Sequence, residues 1–117
     1  GKKYAMSDDD RLAAVKAATA KIANVECVLH RGLLVDFCKS INANVMYKVV
    51  RGADELSEVT TLVDINRDMW EGETVFIVAD RNMRHVSASL VRELSAFGKD
   101  YSAYVPEAAL EIVKRSF

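Results

Sequence analysis

An α/β fold built on a doubly wound parallel sheet is what this sequence predicts, and three observations predict it. Segments of helical periodicity alternate with short β-branched runs along the chain, joined by short connections. One of those runs, Thr74 to Ala79, is almost wholly apolar, as in a central strand buried on both faces of a parallel sheet. Such alternation implies right-handed crossovers between parallel strands.

Each element has its own justification. Ser7-Asp8-Asp9-Asp10 precedes Leu12, Val15 and Ile22, so an N-cap serine and an acidic first turn open a helix from about Asp8 to Lys21. Val25 to Leu29 is short, β-branched and follows the turn-prone Asn24, which predicts a first strand. Leu33 to Ser40 reads as a short helix, and Val45 to Val50 as a second strand. That strand is closed by Arg51-Gly52, where glycine permits a tight turn or close backbone approach to a ligand. Leu56, Val59, Val63, Asn66 and Trp70 share one face of a long helix beginning near Asp54. After the third strand, Ser87-Ala88-Ser89 opens a helix carrying Leu90, Val91 and Leu94 and ended by Gly98. Pro106 suits the first turn of a final helix from Glu107 to about Arg115.

At 117 residues, half of them apolar, the chain has room for one core, so residues 1–117 are expected to form a single domain. Lys+Arg 16 against Asp+Glu 17 leaves no basic surface of the kind that tracks a nucleic-acid backbone, which argues against nucleic acid as a partner. Cys27 and Cys38 lie in apolar runs with no Cys-x-x-Cys spacing, and they read as buried free thiols of a reducing, cytosolic compartment. No apolar stretch approaches a membrane span, and no hydrophobic region follows Lys2-Lys3. Three strands are few for an open sheet, and the apolar edge they leave calls for oligomer contacts or a further strand.

Ligands of such folds sit beyond the carboxyl ends of the strands, against helix N-termini. Two places qualify here, the turn at Val50-Arg51-Gly52 and the segment before Ser87. In the second, serine hydroxyls, Arg84 and unpaired backbone donors can receive phosphate oxygens, or Ser87 is an N-cap and nothing more.

The order of motifs resembles the phosphopantetheine adenylyltransferase family. Val86-Ser87-Ala88-Ser89-Leu90-Val91-Arg92-Glu93 is similar to that family's Ile-Ser-Ser-Ser-Leu-Val-Lys-Glu, and Gly32-Leu33-Leu34-Val35-Asp36-Phe37 to its Gly-Leu-Leu-Val-Asp-Tyr/Phe. Asn66-Arg67, Glu73-Thr74-Val75-Phe76, Lys2-Lys3 with Ser7 to Arg11, and Val105-Pro106 match further family segments in the right order, over nearly the whole chain. The resemblance implies a Rossmann-like nucleotidyltransferase fold and transfer of AMP from ATP to 4'-phosphopantetheine. The products are dephospho-coenzyme A and pyrophosphate, with Mg2+ assisting, in a cytoplasmic homohexamer of coenzyme A biosynthesis.

Carried over residue by residue, Lys2 matches the lysine that approaches the reacting phosphates and Leu34 the wall of the pantetheine pocket. Met83, Arg84, His85, Val86, Ser87, Ala88 and Ser89 match the segment that holds ATP. For Lys2 a solvated terminal lysine, and for Leu34 plain core, are the competing readings. Aligned without gaps, Lys48-Val49-Val50-Arg51 stands where the family has Arg-Gly-Leu-Arg, and Val59 where it has a glutamate near the nucleotide. A second register places Val50-Arg51-Gly52 on the family's Val-Arg-Gly. Arg51 matches a ligand-binding arginine in both, so Lys2 and Arg51 are the expected catalytic cations. Lys48 is expected at the substrate, and Val49 and Val50 at ATP.

The family's opening strand and its Gly-x-Phe-Asp-Pro-x-Thr-x-Gly-His motif do not precede Lys2, so the expectation is a domain short of its first strand and helix, with no turnover by these residues alone. His30 and His85, without spaced partners, read as structural. The alternative function is a non-catalytic module that keeps a nucleotide or coenzyme A pocket, or serves assembly.

Overall fold

A computed structural model describes residues 6–117. Its elements are α1 (Asp8–Thr19), α2 (Leu34–Ser40), β1 (Val45–Val50), α3 (Ala53–Met69), β2 (Glu73–Val78), α4 (Ala88–Ala96) and α5 (Leu110–Lys114), with 3-10 turns at Ser102–Tyr104 and Glu107–Ala109. The chain is mixed α/β with a parallel sheet, as expected, and it divides into two compact units. One runs from His30 to Arg84; the other joins the residues up to Leu29 with His85–Phe117.

In the His30–Arg84 unit, β1 and β2 pair in parallel from Val45 opposite Glu73 to Val50 opposite Val78, and α3 supplies the crossover that parallel strands require. Ala79 N–H donates to the Val50 carbonyl at 2.9 Å and carries the ladder one step further. The residues on one face, Met46 and Val50, are buried. Met46 packs with Val35 and Cys38 of α2 and with Trp70, whose indole N–H donates to the Ala43 carbonyl at 3.0 Å. Gly72 lies so close to the Trp70 ring that a Cβ there would fall 1.9 Å from a ring carbon. A glycine is therefore the one residue that lets the chain turn into β2 across that indole.

The other face of the sheet, carrying Tyr47 and Val49 beside Val75 and Ile77, is exposed. Thr74–Ala79 is thus not a strand buried on both faces: it pairs with β1 alone among the described residues, and its burial alternates instead of being continuous. Val25 to Leu29 is not a strand either. Val25 N–H returns to the Ile22 carbonyl at 3.3 Å in a turn, and the segment pairs with no strand among the described residues. β-branched side chains favour a pleated, half-buried surface, and without a ladder neighbour their preference has nothing to act on. Among the described residues the sheet accordingly has two strands and not three.

In the other unit, α1 starts where the sequence places it, with the Ser7 hydroxyl accepting from Asp10 N–H at 3.1 Å, and it ends at Thr19. Its first turn is clipped to the C-terminal residues: Arg115 donates to the Asp10 carboxylate at 2.6 Å, and Ser116 reaches the same group at 3.4 Å. Val91 of α4, Tyr101 and Val113 of α5 form the core, with Leu94, Tyr104 and Leu110 against it. α4 closes at Gly98, which takes φ 67° while its N–H bonds to the Ser95 carbonyl and that of Lys99 to Leu94, the paired closure that glycine favours. Pro106 precedes the last helical segment, which begins as the 3-10 turn Glu107–Ala109 before α5. Cys38 is buried, but Cys27 is only half-buried, its sulfur 3.3 Å from the Thr19 hydroxyl, because it lies in the segment that forms no strand.

Candidate functional site

Where β1 gives way to α3, a cleft of about 470 Å3 opens, lined by Arg51, Gly52, Ala53, Asp54, Glu55 and Arg84. It lies at the carboxyl end of a parallel pair and at the first turn of a helix, the position such folds reserve for ligands. Gly52 has extended backbone, which any residue adopts, so of the two roles glycine permits there no tight turn forms; a side chain at this position would meet open space.

Both arginines are tethered by the inner nitrogen of the guanidinium. Arg51 Nε donates to Glu55 Oε1 at 2.8 Å, and the Arg51 backbone N–H donates to Oε2 of the same carboxylate at 2.7 Å. Arg84 Nε donates to the Ala79 carbonyl at 3.2 Å. The terminal amino groups of both guanidinia make no hydrogen bond among the described residues. Those are the nitrogens that grip phosphate or carboxylate in pairs. Formal charges in the lining balance, two arginines against Asp54 and Glu55, so selectivity for an anion rests on directed donors, including the backbone N–H groups at the start of α3, which no side chain caps among the described residues. The Glu55 carboxyl is held below its ordinary range, chiefly by the Arg51 backbone N–H and next by its side chain.

Glu55 was not among the residues singled out in the sequence. Its signal is a carboxylate four residues after Arg51, across the turn from strand to helix, a spacing that ordinarily marks a pair within one helix.

The start of α4 belongs to the other unit and is built differently. The Ser87 hydroxyl accepts from Leu90 N–H at 3.1 Å, and the Ser89 hydroxyl accepts from Arg92 at 3.2 Å. Ser87 is therefore an N-cap, and because both hydroxyls accept, their O–H groups remain as donors beside the backbone N–H groups of Ala88 and Ser89. Beside them is an almost wholly apolar hollow of about 260 Å3, whose wall includes Val86, Ala88, Val91, Tyr104 and Pro106. His85 packs edge-on against Tyr104 with ring centroids 5.7 Å apart.

The other expected residues are dispersed. Lys2 lies outside the described residues. Leu34 is 47% exposed on the first turn of α2, so it is not core. Lys48 is half-buried in mid-strand opposite Phe76, Val49 is exposed on the open face, and Val50 is buried with its carbonyl taken by Ala79 N–H. Met83 is exposed in the turn after Asp80, whose carbonyl accepts from Met83 N–H at 2.9 Å. The His30 imidazole is 3.0 Å from the Leu33 carbonyl and packs against Phe37, a local structural tie. Among the described residues no group of three or more His, Cys, Asp or Glu side chains is placed to hold a metal, and no helix is long and apolar enough to cross a membrane.

No family model matches the sequence. Curated relatives do. The chain is 36% identical over 110 residues to a phosphopantetheine adenylyltransferase of Micrococcus luteus, an alignment covering 93% of this chain and 70% of that protein. It is 33% identical over 113 residues to the enzyme of that name from Rubrobacter xylanophilus, covering 96% and 69%. To the one from Leifsonia xyli subsp. xyli it is 41% identical over 85 residues, covering 73% of this chain and 54% of the relative.

Proposed function

Because this chain belongs to the phosphopantetheine adenylyltransferase family, we propose that it serves the transfer of AMP from ATP to 4'-phosphopantetheine, yielding dephospho-coenzyme A and pyrophosphate in coenzyme A biosynthesis. In that reaction an oxygen of the 4'-phosphate attacks the α-phosphorus of ATP. The bond from that phosphorus to the bridging oxygen breaks, and pyrophosphate leaves with the electron pair. Positioned cations and N–H donors do most of what a protein can do for such a step.

The observation that carries this reading is the cleft at the carboxyl end of β1, where Arg51 and Arg84 are each tethered through Nε and keep their terminal amino groups for a ligand. Arg51 is assigned to the ATP phosphates and is, with Lys2, the catalytic cation. Met83, Arg84 and His85 to Ser89 are assigned to the nucleotide as the segment matching the family's ATP-holding motif. Leu34 and Lys48 are assigned to phosphopantetheine. Magnesium does not fit as a resident ion, since the described residues offer no ligand cluster and Glu55 is engaged by Arg51. It fits better as the ion ATP brings on its own phosphates, completed by water. A cytoplasmic homohexamer belongs to the same reading.

Calorimetric titration tests it. ATP and coenzyme A are expected to bind the wild-type chain, and Arg51→Ala is expected to weaken ATP by roughly tenfold or more, the worth of a charge-assisted hydrogen bond. Unchanged ATP affinity in that variant sinks the assignment. Pyrophosphate release is expected to be absent from these 117 residues alone, which do not contain the family's histidine motif. One observation favours a non-catalytic binding or assembly module: Val59, half-buried on α3, offers no carboxylate where the family has one. ATP binding that persists without turnover, once the matching upstream segment is supplied, supports that alternative.

A further inference from the structure

The Arg51–Glu55 contact differs from an ordinary surface ion pair in its geometry. One carboxylate accepts both from the Arg51 backbone N–H, at 2.7 Å, and from its Nε, at 2.8 Å. The two bonds fix both ends of the arginine, the main chain at the last turn of the strand and the guanidinium at the first turn of α3. An exposed arginine otherwise samples many rotamers, and freezing them on binding costs affinity. Here the Nε edge of the fork is already engaged, so the plane of the guanidinium is set and its two terminal nitrogens remain for a ligand. Arg84 reaches the same end by a tether to the Ala79 main-chain carbonyl, an acceptor that no substitution at position 79 removes.

We infer that Glu55 is a positioning residue for anion binding in the cleft at the end of β1, holding the Arg51 guanidinium so that its terminal amino groups face phosphate oxygens. This rests on the assignment of Arg51 to the phosphates of ATP. It has a consequence opposite in sign to simple electrostatics. Glu55 is a negative charge beside an anion site, so by charge alone its removal strengthens binding of a polyphosphate. As a positioning residue its removal weakens it.

The experiment is ATP titration of the full chain at fixed ionic strength, for wild type, Glu55→Gln, Glu55→Asp, Arg51→Ala and the Arg51→Ala/Glu55→Gln double variant, with the urea midpoint of each. Glu55→Gln is expected to lose affinity on the order of five- to tenfold, the net worth of one good hydrogen bond, with little change in urea midpoint. Glu55→Asp keeps the charge but shortens the reach, so an intermediate loss is expected. In the Arg51→Ala background, Glu55→Gln is expected to change nothing further or to tighten binding. Unchanged or tighter ATP binding by Glu55→Gln with Arg51 present overturns the proposal alone. Wild-type affinity in Arg51→Ala, or no ATP binding by wild type, overturns the assignment of Arg51 and the proposal with it.

Discussion

The end of β1 and the start of α4 both set polar side chains beside a helix N-terminus, but they are built from different donors and different walls. At the end of β1 the arginines are anchored by Nε and keep their terminal nitrogens available, over a polar cleft. At the start of α4 the Ser87 and Ser89 oxygens accept within the helix, which leaves only their O–H groups to donate, and the adjoining hollow is almost wholly apolar. The serine-rich segment caps its helix with its oxygens and keeps its hydroxyl protons. The first region is lined by charged side chains and the second by apolar ones.

The largest effect expected from any single change falls on the unit that holds the arginine cleft. Gly72→Ala drives a methyl group into the Trp70 ring and must shift either the indole or the entry to β2, at a cost of about 1–3 kcal/mol or more. Trp70 is the sole tryptophan, so its fluorescence follows this unit, and the urea midpoint read that way is expected to fall. A wild-type midpoint would mean that the cleft's frame does not depend on that contact. Next comes Arg51→Ala, whose roughly tenfold loss of ATP affinity belongs to the cleft alone.

Ser87→Ala sharpens the contrast most directly. Loss of the N-cap is expected to cost about 1 kcal/mol of stability, and loss of the Ser87 O–H, still a donor while its oxygen accepts from Leu90 N–H, is expected to weaken ATP by less than Arg51→Ala does. If affinity falls as far as in Arg51→Ala, the two regions are more alike than their geometry suggests. The smallest effect concerns the clip between α1 and the C-terminal residues. Arg115, first by its hydrogen bond and then by its charge, with help from Ser116 and Ser7, holds the Asp10 carboxyl below its ordinary 3.8. A group depressed in this way stabilises the fold above its unfolded pKa and loses that contribution as pH falls through the folded value. Asp10→Asn is therefore expected to flatten the acid limb of a stability–pH curve below 3.8 and to leave the ATP titration unchanged.

Signals that act within a few residues were legible in the sequence. Ser7 and Ser87 cap their helices, Gly98 closes α4 with positive φ, and the apolar stripe ending at Trp70 marks α3. What failed were inferences about neighbours. Val25 to Leu29 has strand composition but no ladder partner among the described residues, and Thr74 to Ala79 has the composition of a doubly covered strand but one open face. Composition reports what a segment can tolerate, and pairing decides what it becomes. The candidate site divides along the same line. Arg51 and Arg84 could be found from their place beside strand ends, whereas the tether of Arg51 to Glu55 depends on how a strand turns into a helix, which no periodicity encodes.

The open face of the β1–β2 pair has a practical consequence. Tyr47 and Val49, 68% and 64% exposed, lie beside Val75 and Ile77 and form a contiguous apolar strip. Water leaves such a strip readily when a solute makes the surface costlier to hydrate, and sulfate and phosphate do so while urea does the reverse. Purified samples should therefore precipitate early in an ammonium sulfate series and redissolve on dilution. Titrations with polyphosphate ligands are best run in chloride buffers at low protein concentration, where turbidity cannot pass for binding heat.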